Sequence, residues 1–369
     1  MDPAFERLAV DRRCNTQGAN FGSAVGQFNE AAAADVQFAT GRPWCLPDNA
    51  AFKKLVNQYG FAFAPTAMHS ARTTGFGGFH LSLEAAYTKI DSGAQYWKLG
   101  TQGPVDPSTS EAGVINNSPQ DVLQLYSAKI RKSFGFGLEL TGVVGFMPKT
   151  SIVSGGADVR LSLLEGFRSG IPGILPDVAV GGGVRTITGT PEMQLSIASL
   201  DVQISKPLPI ADSSILTPWV GYQYVWIFGD SGLIDLTPGT DAINYCNYAG
   251  PNVPGNPDPD PTQGFDGQPV CRGGSPIDFN NNVVFEKARL ERQRLIFGAN
   301  YRYEMVMFGI EFITDIVDPE DAQTGDDKTD IVRPRTDTTP PATIKQSDSE
   351  ILKGEDRQWT IVLELGAMF

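Results

Sequence analysis

From about Gly75 to the last residue, apolar and polar side chains alternate with a period of two, which predicts β-strands with one apolar face. The clearest stretches run Phe79-Leu81-Leu83-Ala85-Tyr87, Leu138-Leu140-Gly142-Val144-Phe146, Val159-Leu161-Leu163, Leu216-Pro218-Val220-Tyr222-Tyr224-Trp226, Leu295-Phe297-Ala299-Tyr301-Tyr303, Val306-Phe308-Ile310-Phe312 and Trp359-Ile361-Leu363-Leu365-Ala367-Phe369. Weaker alternation over 121–132, 177–189 and 194–205 brings the expected strand number to ten. Residues 1–70 follow another rule. Phe21 to Thr40 and Asn49 to Tyr59 have helix-like spacing, separated by the Gly41-Arg42-Pro43-Trp44 break, and the segment balances six acids with six bases.

Pairing the strands in order gives connections of two kinds. Those near 133–136, 166–176, 206–213 and 303–305 are short turns, whereas on the other side 91–120, 229–284 and 319–355 are long and only 148–152 and 190–193 are brief. An even number of antiparallel strands with one trimmed rim and one elaborated rim is the pattern of a transmembrane β-barrel with short periplasmic turns and long outer loops. The expected fold is all-β: a transmembrane antiparallel up-and-down β-barrel of about ten strands over 71–369. The helical segment over 1–70 is expected to act as a periplasmic cap or plug.

The chain ends Trp359-Thr360-Ile361-Val362-Leu363-Glu364-Leu365-Gly366-Ala367-Met368-Phe369. This last strand, with a terminal aromatic and apolar residues on alternate positions upstream, resembles the carboxy-terminal insertion signal of bacterial outer-membrane β-barrel proteins. The resemblance covers roughly 75–369 and is architectural. It implies a Gram-negative cell envelope, a bilayer with lipopolysaccharide around the protein, and the barrel-assembly machinery as a partner of the last strand. From Trp359 to Phe369, ten steps of ~3.3 Å at a tilt near 40° rise about 25 Å, the height of a barrel's apolar band. Tyr224 and Trp226 before a long loop, Tyr301 and Tyr303 beside a short turn, and Trp359 and Phe369 at the two ends of the last strand would form the two aromatic girdles.

If the apolar face meets lipid, the opposite parity faces the lumen. It carries Glu84, Glu139, Asp158, Asp201, Glu311 and Glu364 alongside Lys129, Arg131, Arg160, Arg185, Arg292 and Arg294. A water-soluble barrel needs an apolar interior, whereas twelve ionisable groups survive there only hydrated or paired. A selective pore shows one sign at its constriction, so balanced signs favour a scaffold. Ten strands enclose at most a narrow wet passage, which disfavours a general, porin-like solute channel.

Net charge is −13, and the three long loops account for −12 of it. An acidic chain of pI near 4.7 is a poor match for nucleic acid, whose binding relies on Lys and Arg. Acidic loop tips suit divalent cations shared with lipid phosphates, or a basic surface or periplasmic protein partner. The carboxylates Asp318, Glu320, Asp321, Asp326, Asp327 and Asp330, and Asp258, Asp260 and Asp266, do not match the spacing of a known calcium loop, so no metal or cofactor site is assigned. No transmembrane helix is expected, because no run of about 18 uncharged apolar residues occurs and the nearest, Ser213 to Gly229, contains Pro218, Gly221 and five aromatic rings. The start, Met1-Asp2-Pro3-Ala4-Phe5-Glu6, has neither a positive n-region nor an apolar h-region, so either the protein stays in the cytoplasm or a signal peptide has been removed. Cys14 with Cys45, and Cys246 with Cys271, form two sequence-local pairs and are expected to be disulfides of an oxidising compartment.

Catalytic chemistry finds little support. Only His69 and His80 are present, and neither HExxH nor a P-loop occurs. His80-Leu81-Ser82 shares the two-residue His/Ser spacing of the outer-membrane phospholipase A family. In that family the pair faces lipid, while here its parity is that of lumenal Glu84. Resemblance to the omptin proteases stops at strand number, since no His follows residue 80. The expected role is therefore non-enzymatic: a structural or surface-interaction barrel that presents acidic loops. The alternative is a narrow channel or transporter for small solutes or apolar molecules, gated by the amino-terminal segment.

Overall fold

The computed structural model describes residues 1–8, 47–103, 116–165, 175–211, 213–235, 246–248, 269–271, 282–325, 327–332 and 343–369. Ten long strands form the body: β1 Phe79–Lys89, β2 Val122–Ser133, β3 Leu138–Phe146, β4 Val153–Leu164, β5 Asp177–Thr188, β6 Met193–Ser205, β7 Ser214–Ser231, β8 Ala288–Tyr303, β9 Val306–Asp315 and β10 Trp359–Met368. Each pairs antiparallel with its neighbour in sequence. The ring closes where β10 pairs with β1, from His80 opposite Met368 to Thr88 opposite Thr360. Phe79 and Phe369 then exchange backbone hydrogen bonds of 2.9 and 2.8 Å. The fold is a closed ten-stranded up-and-down barrel in which, among the described residues, none of the ten strands keeps a free edge; the short strand Leu208–Ala211 adds to the turn-side end of β7.

The strands follow the expected alternation, with differences at their ends. β7 and β8 are longest, at 18 and 16 residues. The first half of β8 carries Arg289, Glu291 and Gln293 on its outer face, so no apolar period marked it in the sequence. These polar positions lie beyond the apolar belt, towards the long loops. Short ladders decorate the loops at Ile234–Asp235 with Asn282–Val283, Cys246–Tyr248 with Pro269–Cys271, and Lys328–Val332 with Thr343–Ser347.

The exterior is inverted relative to a water-soluble protein. Leu83, Val144, Phe308 and Leu365 are 51–65% exposed, whereas Arg292, Arg294 and Glu311 are 1% exposed. An apolar belt around a charged interior is stable only with hydrocarbon outside, and the barrel is of the outer-membrane kind. Among the described residues no helix is long and apolar enough to cross a membrane; the crossing is made by strands.

Helix α1, Asn49–Phe63, starts at Asp48, whose carboxylate accepts from the Ala51 N–H at 3.0 Å. It stops before Pro65, which biases its predecessor to extended backbone; Ala64 has φ −60° and ψ 149°. The helix lies inside the loop-side half of the barrel. There Phe52, Leu55, Val56, Tyr59 and Phe63 pack against Ile187, Leu195, Ile197, Val225, Ile227 and Leu290 of the wall, with Phe5, Leu8, Trp97 and Phe285 above. Two glycines permit the close approach: a Cβ on Gly60 would stand 2.5 Å from Ile227, and one on Gly229 2.5 Å from Val56. The inward face of the strands thus adds an apolar chamber near the loops, interrupted by the Arg292–Asp315 pair, to the ionic lining towards the turns, a division the expectation of a uniformly polar lumen did not contain.

Candidate functional site

Below α1 the chain runs extended through the centre of the barrel. Residues 64–74 have no sheet partner, yet a buried backbone must have its polar groups satisfied, and here side chains of the wall do it. Arg294 donates to the carbonyls of Phe61 at 3.1 Å and Pro65 at 2.7 Å, and Gln223 also donates to Pro65 at 3.1 Å. Gln203 takes the Ala67 carbonyl at 2.9 Å, Arg131 that of Met68 at 3.3 Å, and Arg160 those of His69 and Ser70 at 3.2 and 3.3 Å. Ser162 donates to the Ala71 carbonyl at 2.8 Å. In the other direction, the N–H groups of Ala67, Ala71, Thr73 and Thr74 donate to Glu311, Ser205, Glu165 and Ser133 at 2.8–3.2 Å. The contacts descend in order from the middle of β7 and β8 to the turn-side ends of β2, β4 and β6.

Around this thread the twelve lumenal ionisable residues named from parity are brought together. Lys129 meets Glu84 at 2.5 Å and also Thr66 of the thread at 2.6 Å. Arg185 grips Asp158 with two bonds of 2.6 and 2.8 Å, Arg160 reaches Asp201 at 3.3 Å, and Arg131 lies 3.6 Å from Glu139 and 4.0 Å from Glu364. Arg292 pairs in two-point fashion with Asp315. Among the described residues Arg294 makes no carboxylate ion pair; it holds Gln223 and the thread and stacks 5.1 Å from the Phe61 ring. Glu311 serves the thread. Ten of the twelve are buried, while Asp158 and Asp201 are half-buried. Sequence reasoning missed Gln203, Gln223, Ser133, Ser162 and Ser205, which share the lumenal parity but carry no charge. It also missed His69 and Thr66, which lie off any strand and show no periodic signal.

The aromatic residues occupy both ends of the outer face. Tyr224 and Trp226 stand 4.8 Å apart at the loop side of β7, Trp359 lies 6.4 Å from Phe312, and Tyr301, Tyr303 and Phe369 are exposed at the turn side. A further loop-side cluster, Tyr87, Tyr126 and Phe146, was not anticipated.

His80 and Ser82 do lie on the lumenal face, but among the described residues neither ring nitrogen of His80 has a hydrogen-bond partner, so the two are not linked as base and nucleophile. Among the described residues no group of three or more His, Cys, Asp or Glu is placed to hold a metal ion; Asp258, Asp260, Asp266 and Asp326 lie outside them. The disulfide expectation is not supported. Cys14 and Cys45 fall outside the described residues, and for Cys246 and Cys271 the structure gives a backbone ladder in which the two are register partners.

No family model matches the chain, and no curated protein does. Solved structures of outer-membrane barrels are similar to it. They include Ail, the attachment invasion locus protein of Yersinia pestis (8% identity, 80% of this chain and 100% of that one, TM-score 0.23). The outer membrane protein Omp33 of Acinetobacter baumannii matches at 6% identity over 79% of this chain and 98% of that one, with a TM-score of 0.24. OprG of Pseudomonas aeruginosa matches at 10% identity over 82% and 99%, with a TM-score of 0.24.

Proposed function

We propose that this protein is a non-enzymatic outer-membrane barrel, closed by its own amino-terminal segment, that serves a structural or surface-interaction role through its acidic outer loops. The observation that carries this reading is the grip on residues 61–74: successive backbone groups of the thread are each met by a wall side chain. A lumen lined to fit an extended backbone is not lined for passing solute. In this reading lipopolysaccharide and its bridging cations surround the loop rim, and the last strand is what the assembly machinery engages.

The competing reading, a channel gated by the same segment, makes a different electrical prediction. In planar bilayers the whole chain is expected to be silent at all voltages the membrane tolerates. Regular voltage- or solute-dependent opening of the unmodified protein would replace the structural reading with the gated one. Deleting residues 1–60 tests whether the walls alone can conduct.

A further inference from the structure

The path of the thread fixes where the amino end of the chain lies. Residues 1–8 dock on the loop-side rim: Pro3 bridges to Thr101, the Ala4 N–H donates to Gly100 at 3.0 Å, the Gln102 N–H to Asp2 at 2.9 Å, and the Ser151 N–H to the Asp2 carboxylate at 2.8 Å. Tyr59 of α1 donates to the Met1 carbonyl at 2.9 Å, and the Asp48 N–H to the Leu8 carbonyl at 2.8 Å, so the chain enters α1 from the same rim. The start of α1 also faces that rim, where Asn49 bonds the Asp330 carbonyl and accepts from the Glu286 N–H. From there the chain passes once through a closed ring and reaches β1 at Phe79, beside Phe369, on the turn-side rim. The two ends of the described chain therefore lie on opposite faces of the barrel.

We infer that this barrel carries its own amino-terminal segment across the outer membrane and displays that end on the outer surface. The inference rests on the proposed function only for the statement that the long-loop rim is the outer one. No covalent step or energy source beyond folding is required. Burial of Phe52, Leu55, Val56, Tyr59 and Phe63 in the loop-side apolar chamber draws the segment outward, and the ordered hydrogen bonds of 64–74 hold it there. The ionic half of the lumen is the passage, and the apolar half is the catch.

The test uses the full chain in intact cells, with one short epitope tag placed in turn at the amino end, after Gly354 in the 316–358 loop, or after Gly77 on the turn side. Each variant is first checked for the gel-mobility change on boiling that marks a closed barrel. The amino-terminal and Gly354 tags are expected to bind antibody equally in intact cells, and the Gly77 tag only after the outer membrane is permeabilised. An amino-terminal tag that needs permeabilisation while the Gly354 tag does not would overturn the inference and leave the proposed function standing. Access to Gly77 without access to Gly354 would invert the barrel and overturn both. If a tag disturbs assembly, Asp2→Cys and Gly354→Cys labelled by a membrane-impermeant maleimide replace it, located by peptide mass. Labelling within twofold supports display, and a tenfold deficit at residue 2 overturns it.

Discussion

Arg294 is the residue on which the grip is most concentrated, and Arg294→Leu keeps its stem while removing all its donors. In the intact protein the guanidinium serves the Phe61 and Pro65 carbonyls and Gln223 Oε1, fully out of solvent. Pro65 keeps its bond from Gln223, so the substitution leaves two acceptors without a partner: the Phe61 carbonyl and Gln223 Oε1. An orphaned buried acceptor costs about 1–3 kcal/mol, which puts the loss at roughly 2–6 kcal/mol. Arg294 makes no carboxylate ion pair among the described residues, and removing a desolvated charge recovers part of that cost, so the low end is the better figure. At about 1.4 kcal/mol per decade, a ~2 kcal/mol loss raises the population of displaced thread roughly thirtyfold.

The amides of Ala67 and Ala71, which donate to Glu311 and Ser205, report that population directly through hydrogen exchange in detergent micelles. Their exchange is expected to quicken at least about thirtyfold. Arg289→Leu, five residues before Arg294 and exposed on the outer face of the same strand, should leave both amides unchanged. A folded Arg294→Leu barrel whose Ala67 and Ala71 amides exchange as slowly as the parent's would refute the idea that these bonds hold the thread.

Two further outcomes follow from other parts of the molecule. Burial, with Glu6 nearby, pushes the Glu192 carboxyl up to about 7, although it accepts from the Phe5 N–H. A raised acid binds its extra proton in the docked state, so docking of residues 1–8 is strongest below the ordinary carboxyl range and weakens as pH climbs through about 7. Protection of the Ala4 and Leu8 amides should fall between pH 5 and 8 in the parent and stay level in Glu192→Gln; equal slopes in the two proteins would contradict this. Gly60→Val forces a Cβ to within 2.5 Å of Ile227 and overpacks the helix-to-wall contact by about 1–3 kcal/mol, which should lower the temperature at which gel mobility changes; an unshifted transition counts against the close packing.

What the sequence disclosed follows from what periodicity can record. Each barrel strand presents one face to hydrocarbon, and lipid imposes the same demand on Leu81, Leu140, Phe308 and Leu363 alike, so the outward pattern repeated and strand number and closure were legible. Charge parity yields the expected lumenal set by the same reasoning. The partners of those charges were hidden, because the thread from Ala64 to Thr74 is an extended chain inside a barrel and satisfies no period of its own. The apolar chamber left one trace that was passed over. Val225-Trp226-Ile227-Phe228 is apolar on both parities, the mark of a strand buried on two sides, and Val225 and Ile227 are the positions that receive α1. The upper half of β8 was missed because Arg289, Glu291 and Gln293 leave the membrane and lose the greasy face that defined the rest.

The two halves of the interior bear on function because they complement two different conformations of one segment. A helix satisfies its own backbone and needs only an apolar surround, which Ile197, Val225, Ile227 and Leu290 supply. An extended chain leaves its N–H and C=O groups bare and needs donors and acceptors at its side, which Arg131, Arg160, Arg294, Gln203, Gln223 and Glu311 supply. The wall chemistry changes over the last turn of the helix, where Arg294 already meets the Phe61 carbonyl, just before the backbone becomes extended at Ala64-Pro65. A passage selected for solute has no reason to switch polarity at that depth, whereas a passage matched to its own amino-terminal segment must.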